Sequence, residues 1–244
     1  MSFKVVIPAR YASARLPGKP LLDIAGMPMV IRVAEQAAKS GASEIVIATD
    51  FEKILQVAQD YSIKAVITRL DHASGTDRIA EVAQKLGWAD DEIVVNVQGD
   101  EPLIEPSLIN EVAQHLANSQ DAVMATACHA IHDEASLLNP NIVKVVIDAN
   151  GNALYFSRAP IPYPRDDAHK ANIQAHRHIG IYAYRVGFLK KYAQLSVTDL
   201  EKIESLEQLR VLHHGYKIGV TISQNTPASG VDTQADLDYV RSLF

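Results

Sequence analysis

The first half of the chain alternates short apolar runs with longer stretches whose apolar residues recur every three or four positions. Phe3 to Ile7 reads as a buried strand that breaks at Pro8, where no amide hydrogen remains for a ladder. Pro28 suits a first helical turn, and Val30, Val33, Ala34 and Ala37 supply the buried stripe before Gly41 ends the helix. Glu44 to Thr49 predicts a second strand stopping at Asp50, Phe51 to Tyr61 a short helix, and Lys64 to Thr68 a brief third strand. The loop Arg69 to Arg78 leads into a helix capped near Thr76 or Asp77, with Ile79, Val82, Ala83 and Leu86 as its stripe. Ile93 to Val97 reads as a central strand, and a helix after Pro106 buries Ile109, Val112, Ala113 and Leu116. Strands alternating with helices of this length predict an α/β fold with one doubly wound, mostly parallel sheet.

That rhythm changes after the apolar stretch Val123 to Cys128. Val143 to Ile147, the turn Asp148 to Asn152, and Ala153 to Ser157 predict a hairpin. A proline-rich stretch, Ala159 to Pro164, and a polar segment reaching Arg177 read as loop. Ile179 to Tyr184 is a further strand, Val186 to Ala193 and Asp199 to His213 are helices, and Ile218 to Ile222 is the last strand. Thr233, with Asp236 three residues on, is a capping signal for a terminal helix. No repeat or linker divides the chain, so residues 1–244 read as one domain with an insertion at about 131–184.

Composition narrows the classes. A chain of 244 residues with 48% hydrophobic content can bury a large core. Its net charge of -6 gives nucleic acid or an anionic membrane no global attraction. Cys128 is the only cysteine, which excludes an intramolecular disulfide or a cysteine metal cluster, and its apolar setting predicts an inert core thiol. No leader pattern or run long enough for a membrane span stands out, so a cytoplasmic location is expected.

Within this acidic chain the first loop is locally basic, carrying Arg10, Arg15 and Lys19 beyond the first strand. Guanidinium groups hold phosphate oxygens bidentately and lysine acts as a point charge, so the loop is a candidate polyanion cradle. It matches neither the triphosphatase G-x-x-x-x-G-K-[ST] loop nor the dinucleotide G-x-G-x-x-G fingerprint. The loop at Asp71 to Arg78 and Gln98-Gly-Asp100 fall at carboxyl ends of other strands, where open α/β sheets bind ligands. Asp100 and Asp232 are candidate magnesium ligands, since that ion accepts one or two protein carboxylates and completes its shell with phosphate and water. Each also has a plainer role open to it, Asp100 as a turn former and Asp232 as an acid at a helix start. The nine histidines offer no H-x-x-x-H pair on a helix, and a zinc site is not expected.

Six blocks in order along the chain sharpen this picture: Ile7-Pro-Ala-Arg-Tyr-Ala-Ser-Ala-Arg-Leu-Pro-Gly-Lys-Pro-Leu21, Val95-Asn-Val-Gln-Gly-Asp-Glu-Pro102, Leu154-Tyr-Phe-Ser-Arg-Ala-Pro-Ile-Pro162, Arg177-His-Ile-Gly-Ile-Tyr182, Leu206-Glu-Gln-Leu-Arg-Val-Leu212 and Gly230-Val-Asp-Thr233. Together they resemble the 3-deoxy-manno-octulosonate (Kdo) cytidylyltransferases within the sugar nucleotidyltransferase family. The first block alone indicates the wider family; the third to fifth narrow it.

The resemblance implies a Rossmann-like nucleotidyltransferase fold and a reaction in which CTP and Kdo give CMP-Kdo and diphosphate with Mg2+. It assigns Arg10, Arg15 and Lys19 to the triphosphate, with Ser74, Gly75, Arg78 and Gln98 lining the nucleotide pocket. Asp100 and Asp232 would hold the metal, and Arg158, His178, Tyr182, Glu207 and Gln208 the sugar. Arg10, Arg15, Lys19 and Asp100 would carry the catalysis, with no covalent nucleophile. A homodimer packed through the insertion, and a place in lipopolysaccharide assembly, are further implications. Rival readings are a cytidylyltransferase for 8-amino-Kdo or sialic acid, and a silent nucleotide-sugar binder; a dehydrogenase lacks its glycine fingerprint.

Overall fold

A computed structural model describes residues 2–12, 15–72, 74–166, 174–224, 226–228 and 230–244. Strand β1 (Lys4–Ala9) lies near the centre of the sheet, parallel to β4 (Glu44–Thr49) on one side and to β6 (Ile93–Asn96) on the other. Beyond β4 lies β5 (Lys64–Ile67), also parallel. On the other side the order runs from β6 to β10 (Ala175–Arg185), β7 (Ala122–Ile131) and β11 (Lys217–Ile222). Strand β10 is antiparallel to both β6 and β7, whereas β7 and β11 run parallel to each other. The expected hairpin forms from β8 (Lys144–Ile147) and β9 (Ala153–Ser157), and β8 pairs with β10. The mostly parallel, doubly wound sheet is thus present, with nine strands and one antiparallel strand set into its middle.

Alternation along the strands explains the two cores. Val5, Ile7 and Val95 face helices α1 (Met29–Ala38), α2 (Glu52–Asp60) and α4 (Pro106–Asn118), packing with Val30, Ile54 and Ile109. Val6, Val46 and Val94 face the opposite side, where α3 (Gly75–Lys85) contributes Ile79, Val82 and Ala83. Cys128 is buried there and burial pushes its thiol up to about 12, in keeping with an inert core residue.

Several boundaries differ from the sequence reading for identifiable reasons. Strand β1 runs through Pro8 to Ala9. The Val6 carbonyl accepts from Val97, so Val6 and, two residues on, Pro8 point their backbone groups toward β6, which has already ended. Pro8 therefore forfeits no ladder bond. The cap of α3 is Ser74, not Thr76 or Asp77: its hydroxyl accepts from the Asp77 amide, and Asp77 returns a bond to the Ser74 amide. Pro28 precedes α1 as its cap residue and belongs to a two-stranded ribbon, β2 (Asp23–Ile24) and β3 (Met27–Pro28), which was not expected. The short helix α5 (Glu134–Leu138) was not expected either. The polar segment before Arg177 is only partly loop, because β10 starts at Ala175; residues 167–173 lie outside those described.

Helix α6 (Val186–Tyr192) follows β10. The single helix expected over Asp199 to His213 is two, α7 (Asp199–Glu204) and α8 (Gln208–His213), broken where Ser205 takes a φ of 52°. The terminal helix α9 (Gln234–Arg241) has the Thr233–Asp236 capping box.

The β8–β9 hairpin is pinned by Lys144, which is inaccessible to solvent. Its ammonium donates to the carbonyls of Asn139, Ile142 and Arg158 at 3.0, 2.7 and 2.6 Å. Lys144→Met keeps the length of the side chain and removes all three donations. It is expected to cost about 2–3 kcal/mol, since three charge-assisted bonds from one enclosed ammonium are lost together. An unchanged midpoint in urea unfolding would show that these contacts hold nothing.

Candidate active site

The chain leaves β1 toward β4 and later returns to pair β6 against β1's other edge, so the switch point lies between β1 and β6. Four of the expected residues meet beyond it. The Lys19 ammonium sits 2.6 Å from Asp100 Oδ2 and 3.2 Å from Asp232 Oδ1, and Arg15 donates to the same Asp232 oxygen at 3.0 Å.

Local structure explains how they converge. Lys19 opens a 3-10 turn entered through Gly18, whose φ of 66° suits glycine. The Tyr11 ring packs over Gly18 and stacks on Phe51 with centroids 3.9 Å apart, folding the basic loop back on itself. Asp100 follows β6 through Gly99, where a Cβ would lie 2.6 Å from the Pro8 carbonyl oxygen. Only glycine lets the two backbones approach that closely. The Asp100 carbonyl then accepts from the Val231 amide at 2.8 Å, which draws Asp232, at the start of α9, across from the far end of the chain.

Two carboxylates within reach of one ammonium define a cation-sized site of hard oxygen donors, which fits a magnesium ion. Among the described residues no cluster of three or more histidine, cysteine, aspartate or glutamate side chains is poised to bind a metal. Burial and the neighbouring Asp100 charge push the Glu101 carboxyl up to about 8, so it adds little negative charge at neutral pH.

The expected nucleotide-pocket residues follow β1 and β6 or lie in the first turn of α3. Arg10 is exposed and donates to the His72 carbonyl at 2.9 Å. Ser74 and Gly75 form the start of α3, close to Pro8 and Asn96, and Gln98 is half-buried at the end of β6. Arg78, also expected to line the nucleotide pocket, sits beneath the surface. It is fully enclosed, with one guanidinium nitrogen 2.8 Å from Asp50 and another bonded to Thr68. As folded it ties α3 to the ends of β4 and β5.

The expected sugar residues form a second group on β10 and α8. Between Ile179 and Tyr182 the strand advances three residues while its partner β7 advances one. This bulge brings the His178 and Tyr182 rings to 5.4 Å, whereas four residues of regular strand would span about 13 Å. Thr126 holds His178 Nε2 at 2.9 Å, and burial pushes that imidazole down to about 3, so it acts as a neutral group. Glu207 accepts from the Thr76 hydroxyl at 3.1 Å, and burial raises its carboxyl above the usual range. Gln208 is buried beside it with its side-chain nitrogen unpaired among the described residues. Arg158 stands apart, its guanidinium bonded to the carbonyls of Glu204 and Pro140 at 2.7 and 3.0 Å.

The sequence reading passed over Asn96 and Thr126. Asn96 and Thr126 sit in apolar strands, and a polar residue within such a run was the available signal. Asn96 is buried with both amide atoms unpartnered among the described residues.

A basic loop and two carboxylates at the switch point of an open α/β sheet define a nucleotide-binding enzyme of the doubly wound class. A family model described as cytidylyltransferase matches residues 4–218, and the chain belongs to that family. The solved structure of CMP:2-keto-3-deoxy-manno-octonic acid synthetase complexed with CTP is 46% identical, with a TM-score of 0.92, covering 99% of this chain and 97% of that one. A cytidylyltransferase from Leptospira borgpetersenii serovar Hardjo-bovis (strain JB197) shares the fold at 15% identity and a TM-score of 0.63, covering 99% of this chain and 85% of that one. Among the described residues, no helix is long and apolar enough to cross a membrane.

Proposed function

We propose that this enzyme transfers the cytidylyl group of CTP to 3-deoxy-manno-octulosonate, giving CMP-Kdo and diphosphate. The observation that carries the reading is the meeting of Arg15 and Lys19 with Asp100 and Asp232 at the switch point. The 46% identity to a CMP:2-keto-3-deoxy-manno-octonic acid synthetase over nearly the whole chain supports the choice of acceptor.

In this reading the anomeric oxygen forms a bond to the α-phosphorus as the bond to the bridging oxygen breaks, and diphosphate departs. The transfer asks the protein mainly for positioning and charge neutralisation. Arg10, Arg15 and Lys19 hold the triphosphate and neutralise the leaving group. Lys19 exchanges its two carboxylate partners for phosphate oxygens. Asp100 and Asp232 are the residues that would hold a divalent cation, here Mg2+. When bound, the ion would supply charge for the α-phosphate and acidify the attacking hydroxyl.

Ser74, Gly75 and Gln98 line the nucleotide pocket, with Arg78 bracing it from beneath. His178, Tyr182, Glu207 and Gln208 meet the hydroxyls of the sugar, and Arg158 faces its carboxylate. Residues 131–184 are an insertion that carries the contact of a homodimer, supported by exposed Leu138, Leu154 and Tyr163 on that stretch. Scattering at the 26.7 kDa mass of one chain would remove the dimer. The product serves lipopolysaccharide assembly, with synthesis in the cytoplasm.

The test is diphosphate release with magnesium and CTP, offering Kdo, 8-amino-Kdo and sialic acid separately. Release with Kdo is expected. Release only with another acid would keep the chemistry and replace the acceptor, and silence with all three despite CTP binding would leave a silent binder.

A further inference from the structure

His72 has no part in the chemistry above, yet its side chain is only 3% exposed. Its Nε2 is hydrogen bonded to Glu81 Oε2, in the second turn of α3. Glu81 is firmly held in turn, accepting from the Arg69 amide at 3.0 Å and pairing with Lys85 at 2.8 Å. Burial on its own would lift the Glu81 carboxyl, but hydrogen bonds from Lys85, His72 and the Arg69 amide hold it down at about 2. It is a carboxylate at every working pH.

The other end of the same residue touches the site. The His72 carbonyl accepts from the Arg10 guanidinium at 2.9 Å. Arg10 lies near enough to the buried Arg78 for the two charges to oppose each other. A long, exposed cation beside a buried like charge would swing out to solvent unless an acceptor held it. The His72 carbonyl is that acceptor, and the Glu81–imidazole bond fixes where it stands.

We propose that His72 and Glu81 are positioning residues for Arg10. The α3 carboxylate locks the loop at 69–72 through the imidazole, and the loop's carbonyl aims the guanidinium at the triphosphate. The proposal rests on the reading of Arg10 as a triphosphate ligand.

The test is steady-state kinetics on His72→Leu and Glu81→Ala, alone and combined with Arg10→Ala, varying CTP and Kdo separately. Each single variant is expected to raise KM for CTP by roughly 3- to 10-fold, the worth of one net hydrogen bond, with KM for Kdo unchanged. Neither should add anything further in the Arg10→Ala background, which a merely structural lesion would not reproduce. His72→Gln, which retains a side-chain N–H for Glu81, should recover most of the loss. Equal losses for both substrates that persist on top of Arg10→Ala would overturn the proposal. So would an unchanged KM for CTP in the single variants while Arg10→Ala raises it. If Arg10→Ala itself leaves CTP kinetics untouched, the triphosphate role of Arg10 falls and the positioning role falls with it. His72→Leu preserves apolar volume in an enclosed site, so the comparison stands even where Glu81→Ala fails to fold.

Discussion

Asp100→Asn is expected to lose about three orders of magnitude in turnover, the scale of removing one preorganised charge from a transition-state site. The substitution is nearly isosteric, and the fold does not depend on the carboxylate. It is the Asp100 carbonyl, retained in the variant, that receives the Val231 amide and holds the two segments together. The side chain is 35% exposed, and its bond to Lys19 is worth little to stability at that exposure. What is lost is the negative charge that, with Asp232, makes a site for a cation. Turnover within tenfold of the unaltered enzyme, at an unchanged unfolding midpoint, would take Asp100 out of the chemistry.

Arg78→Met is expected to act in the opposite way, on the fold before the kinetics. Arg78 is fully enclosed and Asp50 has 9% of its side chain exposed, so removal of the cation strands a buried carboxylate. Breaking such a pair from one side costs about 3–5 kcal/mol, which lowers the melting temperature of a chain of this size by roughly 10 °C. Asp50 also accepts from the Tyr11 amide at 3.4 Å, so the start of the basic loop should loosen as well. Adding Asp50→Asn should recover much of the loss, because a neutral amide is cheaper to leave unpaired. Calorimetry decides the matter: a normal melting temperature with a raised KM for CTP would return Arg78 to the ligand.

The contrast between these two residues marks how far the sequence could be read. The alternating strands and helices up to α4, the β2–β3 ribbon apart, were legible because β1, β4 and β6 are largely buried on both faces and each helix on one, which leaves two clean periodicities. The meeting of Lys19, Asp100 and Asp232 was expected only through loop positions at strand ends and family motifs. Geometry has since put them within hydrogen-bonding reach of one ammonium.

Arg78 shows where that reasoning stopped. Its motif sits beside the nucleotide loop, but an inward-facing helix position and an acid at the end of β4 turn it into the core. The strand order was hidden as well. Nothing local in Ala175 to Arg185 says that it will lie antiparallel between β6 and β7, because pairing partners are chosen by tertiary packing. The bulge that joins His178 to Tyr182 had one local signal, Gly180 within the strand, but its register against Thr126 and Ala127 is set by tertiary pairing. Ser205 hid the break between α7 and α8, as a serine in the left-handed region carries no glycine-like signal.

The antiparallel strand β10 also bears on how such enzymes change over time. It joins the β1–β6 half, with the residues proposed for the nucleotide, to the β7–β11 half, and itself carries His178 and Tyr182, two of those proposed for the sugar. The direct pairing along that seam is short, four residue pairs from Ile93–Arg185 to Asn96–Tyr182. On the proposed assignments, a lineage that reworks the acceptor side through the bulge of β10 and through α8 leaves the loops beyond β1 and β6 with their geometry. Selection for a new sugar and selection for nucleotidyl transfer would then fall on separate stretches of the chain.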